Sequence, residues 1–152
     1  MLSHLCVCQP LEEETMNITN ESKFQYTNPR VTKFQYTFTE LSDGQWTINM
    51  MHKKRVEKVS NNEAKVILDM IIGADTELSP FEILFSVEAK FRWTDIDTET
   101  VSTLLSQTAP SLLIGYARPI IAMFTNSSGI TPFNIPMIDF TQEEIVNFDS
   151  LL

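Results

Sequence analysis

Phe81 to Trp93 reads FEILFSVEAKFRW. Phe81, Ile83, Phe85, Val87, Ala89, Phe91 and Trp93 alternate without a break against Glu82, Leu84, Ser86, Glu88, Lys90 and Arg92. A sustained period of two is the pattern of a strand with one face on a core and the other in water. Working back from it, Glu63 to Ala74 (EAKVILDMIIGA) sets Ala64, Val66, Leu68, Met70 and Ile72 on one face. Ile67 and Ile71 on the other face predict a central strand covered on both sides. Asn61-Asn62 marks the boundary before it, and the loop around Leu78-Ser79-Pro80 closes it. Val31 to Glu40 (VTKFQYTFTE) alternates Phe34, Tyr36 and Phe38 against Lys33, Gln35, Thr37 and Thr39, a half-buried strand rich in aromatics and threonine. After the turn Ser42-Asp43-Gly44, Trp46, Ile48 and Met50 continue the alternation, so residues 31–55 are expected to form a hairpin. KFQYT at Lys23–Thr27 returns at Lys33–Thr37, which is either coincidence or two amphipathic strand segments; it is too short and too few for a solenoid unit.

Downstream of Trp93 the period changes. Asp97 is a good N-cap for a short helix carrying Val101, Leu104 and Leu105 at helical spacing, and Pro110 opens a second helical segment where its missing N–H costs little. Asn126-Ser127-Ser128-Gly129 ends that helix, and Pro132 and Pro136 hold Pro132–Phe140 (PFNIPMIDF) extended. Thr141 with Glu144 forms a capping box for a last helix bearing Ile145, Phe148, Leu151 and Leu152. The expected fold is α+β, a four-stranded antiparallel sheet followed by two to three helices packed on one face.

The second helical segment carries more apolar surface than one sheet can cover. Within Ser111–Phe124 only Ser111, Gly115, Arg118 and Pro119 are neither apolar nor aromatic, whereas a helix lying on one sheet needs an apolar stripe of somewhat over ~100°. Two readings stay open, a core helix beneath the last helix or a helix buried between subunits. On the second, Leu112, Leu113, Tyr116, Ile120 and Met123 exceed what one subunit can bury. Arg118 then needs a carboxylate or helix-terminal carbonyl as acceptor. Pro119 removes the hydrogen bond to the carbonyl of residue 115 and crowds it, so a kink is expected near Gly115.

Composition narrows the function. The chain has 152 residues, enough for one modest core, with Lys plus Arg at 11 against 20 acidic residues and a net charge of −9. Extended contact with phosphates starts from repulsion, and a basic partner is favoured. The longest apolar run, Ile120–Phe124 (IIAMF), falls far short of the ~20 residues that span a bilayer, so no membrane insertion is expected. Both cysteines, Cys6 and Cys8, lie with His4 in MLSHLCVCQPLEEET, which lacks the basic start of a signal peptide and a fourth metal ligand. Leu-Glu-Glu-Glu-Thr before Met16 resembles a translated purine-rich bacterial ribosome-binding site, so residues 1–15 are expected to lie outside the natural product. An intact mass that includes them, from the native gene, would refute this. Residues 1–20 are expected to be a disordered tail and residues 21–152 one domain. The absence of a disulfide framework suits a reducing cytoplasm.

Catalysis finds little footing. His52 is the only histidine after Met16, in His52-Lys53-Lys54-Arg55, and reads as part of a solvated strand end rather than a general base. No phosphate loop, metal-ligand spacing or carboxylate pair stands out, so no catalytic residue, cofactor or metal is assigned. The extended stretch after Gly129 is more informative. Phe133, Ile135, Met137, Ile138 and Phe140 either lid the core or line an apolar groove, a surface on which methionine adapts to varied partners.

Ala109-Pro110-Ser111-Leu112-Leu113-Ile114-Gly115-Tyr116-Ala117-Arg118, followed by Thr131-Pro132-Phe133-Asn134-Ile135-Pro136-Met137-Ile138-Asp139-Phe140, resembles the protein-export chaperone SecB family. The family pattern is a proline-initiated apolar helix with Tyr-Ala-Arg, a Gly-Thr-Phe-Pro turn, and an extended segment before the last helix. The similarity is clearest over residues 104–140, and Leu84–Trp93 shares the character of the family's last strand; residues 1–55 show no residue-level match. Pro119 departs from the family, which usually has a polar helix former there. The resemblance implies a cytoplasmic, ATP-independent bacterial chaperone that binds unfolded or secretory polypeptides on the apolar stretch Phe133–Phe140 together with Ile145 and Phe148 of the last helix. It also implies a dimer of dimers with these helices, including Arg118, layered between sheets. Ser86 stands where family members carry an acidic residue that meets the ATPase SecA, which weakens the implied SecA contact. Alternatives are a dedicated chaperone of one partner such as an antitoxin, or a small-ligand-binding domain.

Overall fold

The computed structural model describes residues 23–39, 46–74 and 77–142. Its strands are β1 (Phe24–Tyr26), β2 (Arg30–Phe38), β3 (Met50–Ser60), β4 (Glu63–Ile72) and β5 (Phe81–Trp93), all in one antiparallel sheet. β5 and β4 pair at the centre and β3 flanks β4. β1 and β2 lie one after the other along the far edge of β5, interrupted at Thr27-Asn28-Pro29, so five strands fill the four expected places. The two KFQYT copies are therefore amphipathic strand segments of one edge. Phe24 and Tyr26 stack on Phe91, while Phe34 meets Phe85 edge-on and Tyr36 stacks on Phe81.

The hairpin expected over residues 31–55 is not formed. β2 and β3 sit on opposite edges, and β3 begins only at Met50. The aromatic face of β2 explains the choice. Paired with β5 it meets Phe81, Ile83 and Phe85, whereas the residues β3 turns to the same face are Met50, His52, Lys54 and Val56.

On the inner face, the alternating residues of β4 and β5 are almost wholly buried, and Leu68, Ile72, Ile83, Val87 and Phe91 are fully so. The outer face carries Glu82, Ser86, Glu88, Lys90 and Arg92, as the alternation of β5 predicts, and no described helix lies on it. Ile67 is buried there all the same, between Arg55 and Glu88 of the neighbouring strands, so the aliphatic stems of charged side chains stand in for the second covering layer.

Asp69 anchors the middle of this outer face, accepting from the Ser86 hydroxyl at 2.6 Å and the Arg55 guanidinium at 3.0 Å. Burial alone would raise its pKa; the Ser86 and Arg55 bonds outweigh it and hold the carboxyl below its usual range. A lowered folded-state pKa stabilises the fold at pH values above ~4 and loses that contribution as the pH falls through the folded-state value. Asp69→Asn is accordingly expected to flatten the acid limb of the stability curve. Urea midpoints measured from pH 6 down to pH 2.5 check this, and limbs that superimpose after a uniform offset would refute it.

The helices cover the inner face. Asp97 caps α1 (Thr98–Thr103) by accepting from the Thr100 N–H at 2.9 Å, and these Thr100 bonds lower its own pKa. α1 does not stop before Pro110. It passes through a π turn at Leu104–Thr108, where the Ala109 N–H reaches the Leu104 carbonyl, and runs on as α2 (Ala109–Ser127). Pro110 offers no N–H to the Ser106 carbonyl, and Lys54 of β3 donates to that oxygen at 3.0 Å instead. The helical path bridges a proline that the sequence reading places at a break. α2 also continues through Pro119 and ends at Ser127, with Gly129 at φ 77°.

Candidate functional site

The chain after α2 forms a strap, residues 131–139, that turns back along one flank of the helix. Prolines at 132 and 136 keep it extended, and side chains of α2 hold its backbone. The buried Thr125 hydroxyl accepts from the Phe133 N–H at 2.8 Å, and Arg118 donates to the carbonyls of Ile135 and Pro136, both at 3.2 Å. This answers the need for an acceptor beside Arg118. The acceptors are strap carbonyls of its own chain, and a half-exposed guanidinium suffices because an edge-less strap has free carbonyls to offer. On the opposite flank Phe124 packs between Phe34, 4.4 Å away, and Tyr36, whose hydroxyl bonds Ser128.

The strap residues divide by exposure. Ile135 and Phe140 are buried in the core, with Phe140 against the His52 ring and near the Lys54 ammonium. Phe133 and Ile138 pack on the core with part of their surface open, and Met137 is 91% exposed. Phe133 lies 5.8 Å from Phe81, at the end of the sheet where the Thr39 and Thr47 N–H groups bond the Pro80 and Leu78 carbonyls. Those bonds bring exposed Phe38, Trp46 and Leu78 to the same end. The sequence reading missed this apolar end, because Phe38 and Trp46 were absorbed into a hairpin and Leu78 into a loop; a large apolar residue directly before Ser79-Pro80 was the available signal. Ile145, Phe148 and the rest of the expected last helix lie outside the described residues. Thr141, expected to cap it, has its own N–H bonded to the Asp139 carboxylate at 2.9 Å.

Along α2 the apolar surface also divides. Leu113 is fully buried under its own sheet with Ala117 and Ile121, so it is not available to a second chain. Spacing decides this: Leu113, Ala117 and Ile121 recur every four residues on the sheet side. Leu112, Tyr116 and Met123 point away, with exposures of 36%, 41% and 58%, beside half-buried Ile120. With exposed Gly115 and Pro119 between them, they form an outer face without a charge.

Among the described residues no group of His, Cys, Asp or Glu is placed to hold a metal ion, and no helix is long and apolar enough to cross a membrane. All 11 Lys and Arg lie in the described segments with only half of the 20 acidic residues, so the acidic excess belongs to the remaining segments.

Three comparisons bear on this arrangement. The family model described as Preprotein translocase subunit SecB matches residues 29–143. Among solved structures, the fold is similar to the SecB-like chaperone Rv1957 of Mycobacterium tuberculosis, solved in complex with a ChAD peptide from the Rv1956 HigA1 antitoxin. The TM-score is 0.62 at 14% identity, over 76% of this chain and 91% of that one. A Streptococcus agalactiae protein of unknown function matches with a TM-score of 0.44 at 11% identity, over 75% of this chain and 97% of that one. No curated protein matches the sequence.

Proposed function

The chain belongs to the SecB family, and from that premise we propose that it is an ATP-independent cytoplasmic chaperone that holds non-native polypeptides through apolar contacts. The supporting observation is the apolar surface at the strap and adjoining sheet end, where Met137, Phe38, Trp46 and Leu78 are exposed and Phe133 is half-buried among the described residues. A client side chain of leucine size buried there contributes ~1.5–3 kcal/mol, without regard to client sequence. The reaction is binding alone. The uncharged outer face of α2 supports assembly of several copies, with Leu112, Tyr116, Ile120 and Met123 in the contact, as in the dimer of dimers that the family resemblance implies.

The test is suppression of aggregation of a reduced, unfolded client by stoichiometric protein, with no nucleotide present. Failure on several clients removes the reading. Met137→Asp is expected to weaken client binding about tenfold, from loss of one exposed apolar contact and addition of a charge. Its thermal midpoint should stay unchanged, because a residue 91% exposed stabilises nothing in its own chain. Client titrations of the variant beside wild type check this, and an unchanged affinity would place the client elsewhere.

A second reading is a chaperone dedicated to one partner such as an antitoxin. It is favoured by the similarity to a SecB-like chaperone whose structure holds an antitoxin peptide. Pull-down with the products of neighbouring genes separates it from general use in export. A contact with SecA receives no support from Ser86, whose hydroxyl is committed to Asp69.

A further inference from the structure

The described methionines differ widely in access. Met70 is buried in the core and Met50 is half-buried, while Met51 and Met123 are 55% and 58% exposed. Met137 stands apart at 91%. Its thioether sulfur meets dissolved reagents almost as freely as in a short peptide, and sulfur oxidation follows exposure.

The strap is held in a way that separates this side chain from the fold. Arg118 donates to the carbonyls of Ile135 and Pro136, and Thr125 accepts from the Phe133 N–H, so backbone groups fix the strap up to residue 136. Ile135 is buried before it and Ile138 packs on the core after it. A change of polarity at Met137 therefore alters the open surface while the packing beneath stays as it is. Of the other residues at that surface, Phe133, Phe38 and Leu78 carry no sulfur. Met51 lies on the outer face of the sheet, away from the strap, and Met123 belongs to the outer face of α2 that assembly would cover.

We propose that Met137 is a sulfoxidation site, where a hydroperoxide weakens the hold on a client. The proposal rests on the chaperone reading, whose client surface includes Met137. The sulfur lone pair attacks one peroxide oxygen, and the S–O bond forms as the O–O bond breaks. The departing hydroxide takes the proton from the oxygen now on sulfur and leaves as water. Sulfur loses two electrons and the peroxide gains them, so thioether and hydrogen peroxide give sulfoxide and water. The product replaces a flexible apolar group, able to fit varied clients, by a polar one whose hydration opposes burial under a client side chain. The change is reversible: methionine sulfoxide reductases return the thioether, with two thiols supplying the electrons and ending as a disulfide plus water.

The experiment treats the full chain with hydrogen peroxide, removes the peroxide with catalase and maps sulfoxide by peptide mass spectrometry. Reduced, carboxymethylated lysozyme is then titrated as the unfolded client. Met137 should be converted before Met50, Met51, Met70 and Met123, with affinity for the client falling about three- to tenfold as it converts. The thermal midpoint should not move, and sulfoxide reductases should restore the affinity. Met137→Leu, whatever its starting affinity, should show no change on the same treatment. Conversion of another described methionine ahead of Met137, full affinity with Met137 converted, or an equal loss in Met137→Leu each overturns the proposal. Untreated protein that binds no client removes the chaperone reading itself, a result distinct from treated and untreated protein binding alike.

Discussion

A chain carrying Gly73→Ala is expected not to fold. Gly73 directly follows β4 at φ 74°, with its N–H bonded to the Asn49 carbonyl at 2.7 Å and the start of β5 pressed against it. A Cβ there would sit 2.0 Å from the Phe81 carbonyl oxygen and 2.6 Å from the Ser79 hydroxyl, which is itself buried and bonded to that carbonyl. Left-handed backbone costs an alanine ~1–2 kcal/mol before any contact is counted. Relief of the clash must move backbone at the junction of the two central strands, which brings the expected loss to over ~4 kcal/mol, a large part of a small domain's stability. Gly115→Ala is the control, since an added Cβ there meets nothing within 4 Å and alanine favours the helix. Urea unfolding followed by circular dichroism decides it, and a Gly73→Ala midpoint close to wild type would show that the junction yields.

Leu112→Asp with Met123→Asp is expected to abolish assembly while leaving the fold intact. Both side chains are exposed in the single chain, so their replacement costs it little. In an assembled protein each substitution would remove ~1.5–3 kcal/mol of burial per copy and require a carboxylate to be desolvated. Sedimentation equilibrium should then give a single 17.4 kDa species for the variant and a multiple of it for wild type. A wild-type chain that is itself 17.4 kDa at micromolar concentration removes the assembled state.

Strand residues were legible wherever alternation had a buried partner to answer to. The inner and outer residues of β5, the central place of β4 and the cap at Asp97 follow from period and local chemistry alone. Pairing was not legible, because alternation fixes which face a residue takes and says nothing about which neighbour it meets. Residues 31–55 looked like a hairpin because a turn separates two alternating runs, while the aromatic rows of β2 and β5 are joined only in space. The candidate site was legible in part. Met137 lies on open surface and Phe133 is half-buried, but Ile135 and Phe140 are indistinguishable from them in a stretch without periodicity, and the anchoring of the strap by Thr125 and Arg118 turns those two inward. Leu113 differs from Leu112 by one residue of helical rotation, which composition cannot register.

The π turn at Leu104–Thr108 sets the rotational phase of the whole helical path. Eighteen residues make about five α-helical turns, so in an uninterrupted helix Val101 would lie directly below Pro119 and Leu105 below Met123, both on the outer face. Instead Val101 and Leu105 are 3% and 1% exposed. A π turn takes up one additional residue, a rotation of roughly 100°, and this brings the first two turns back into line with Leu113 and Ala117. A chain one residue shorter between Leu104 and Thr108 would reach the same alignment as plain α-helix. The segment is thus a joint where one residue can be lost without turning either the core face or the outer stripe of α2.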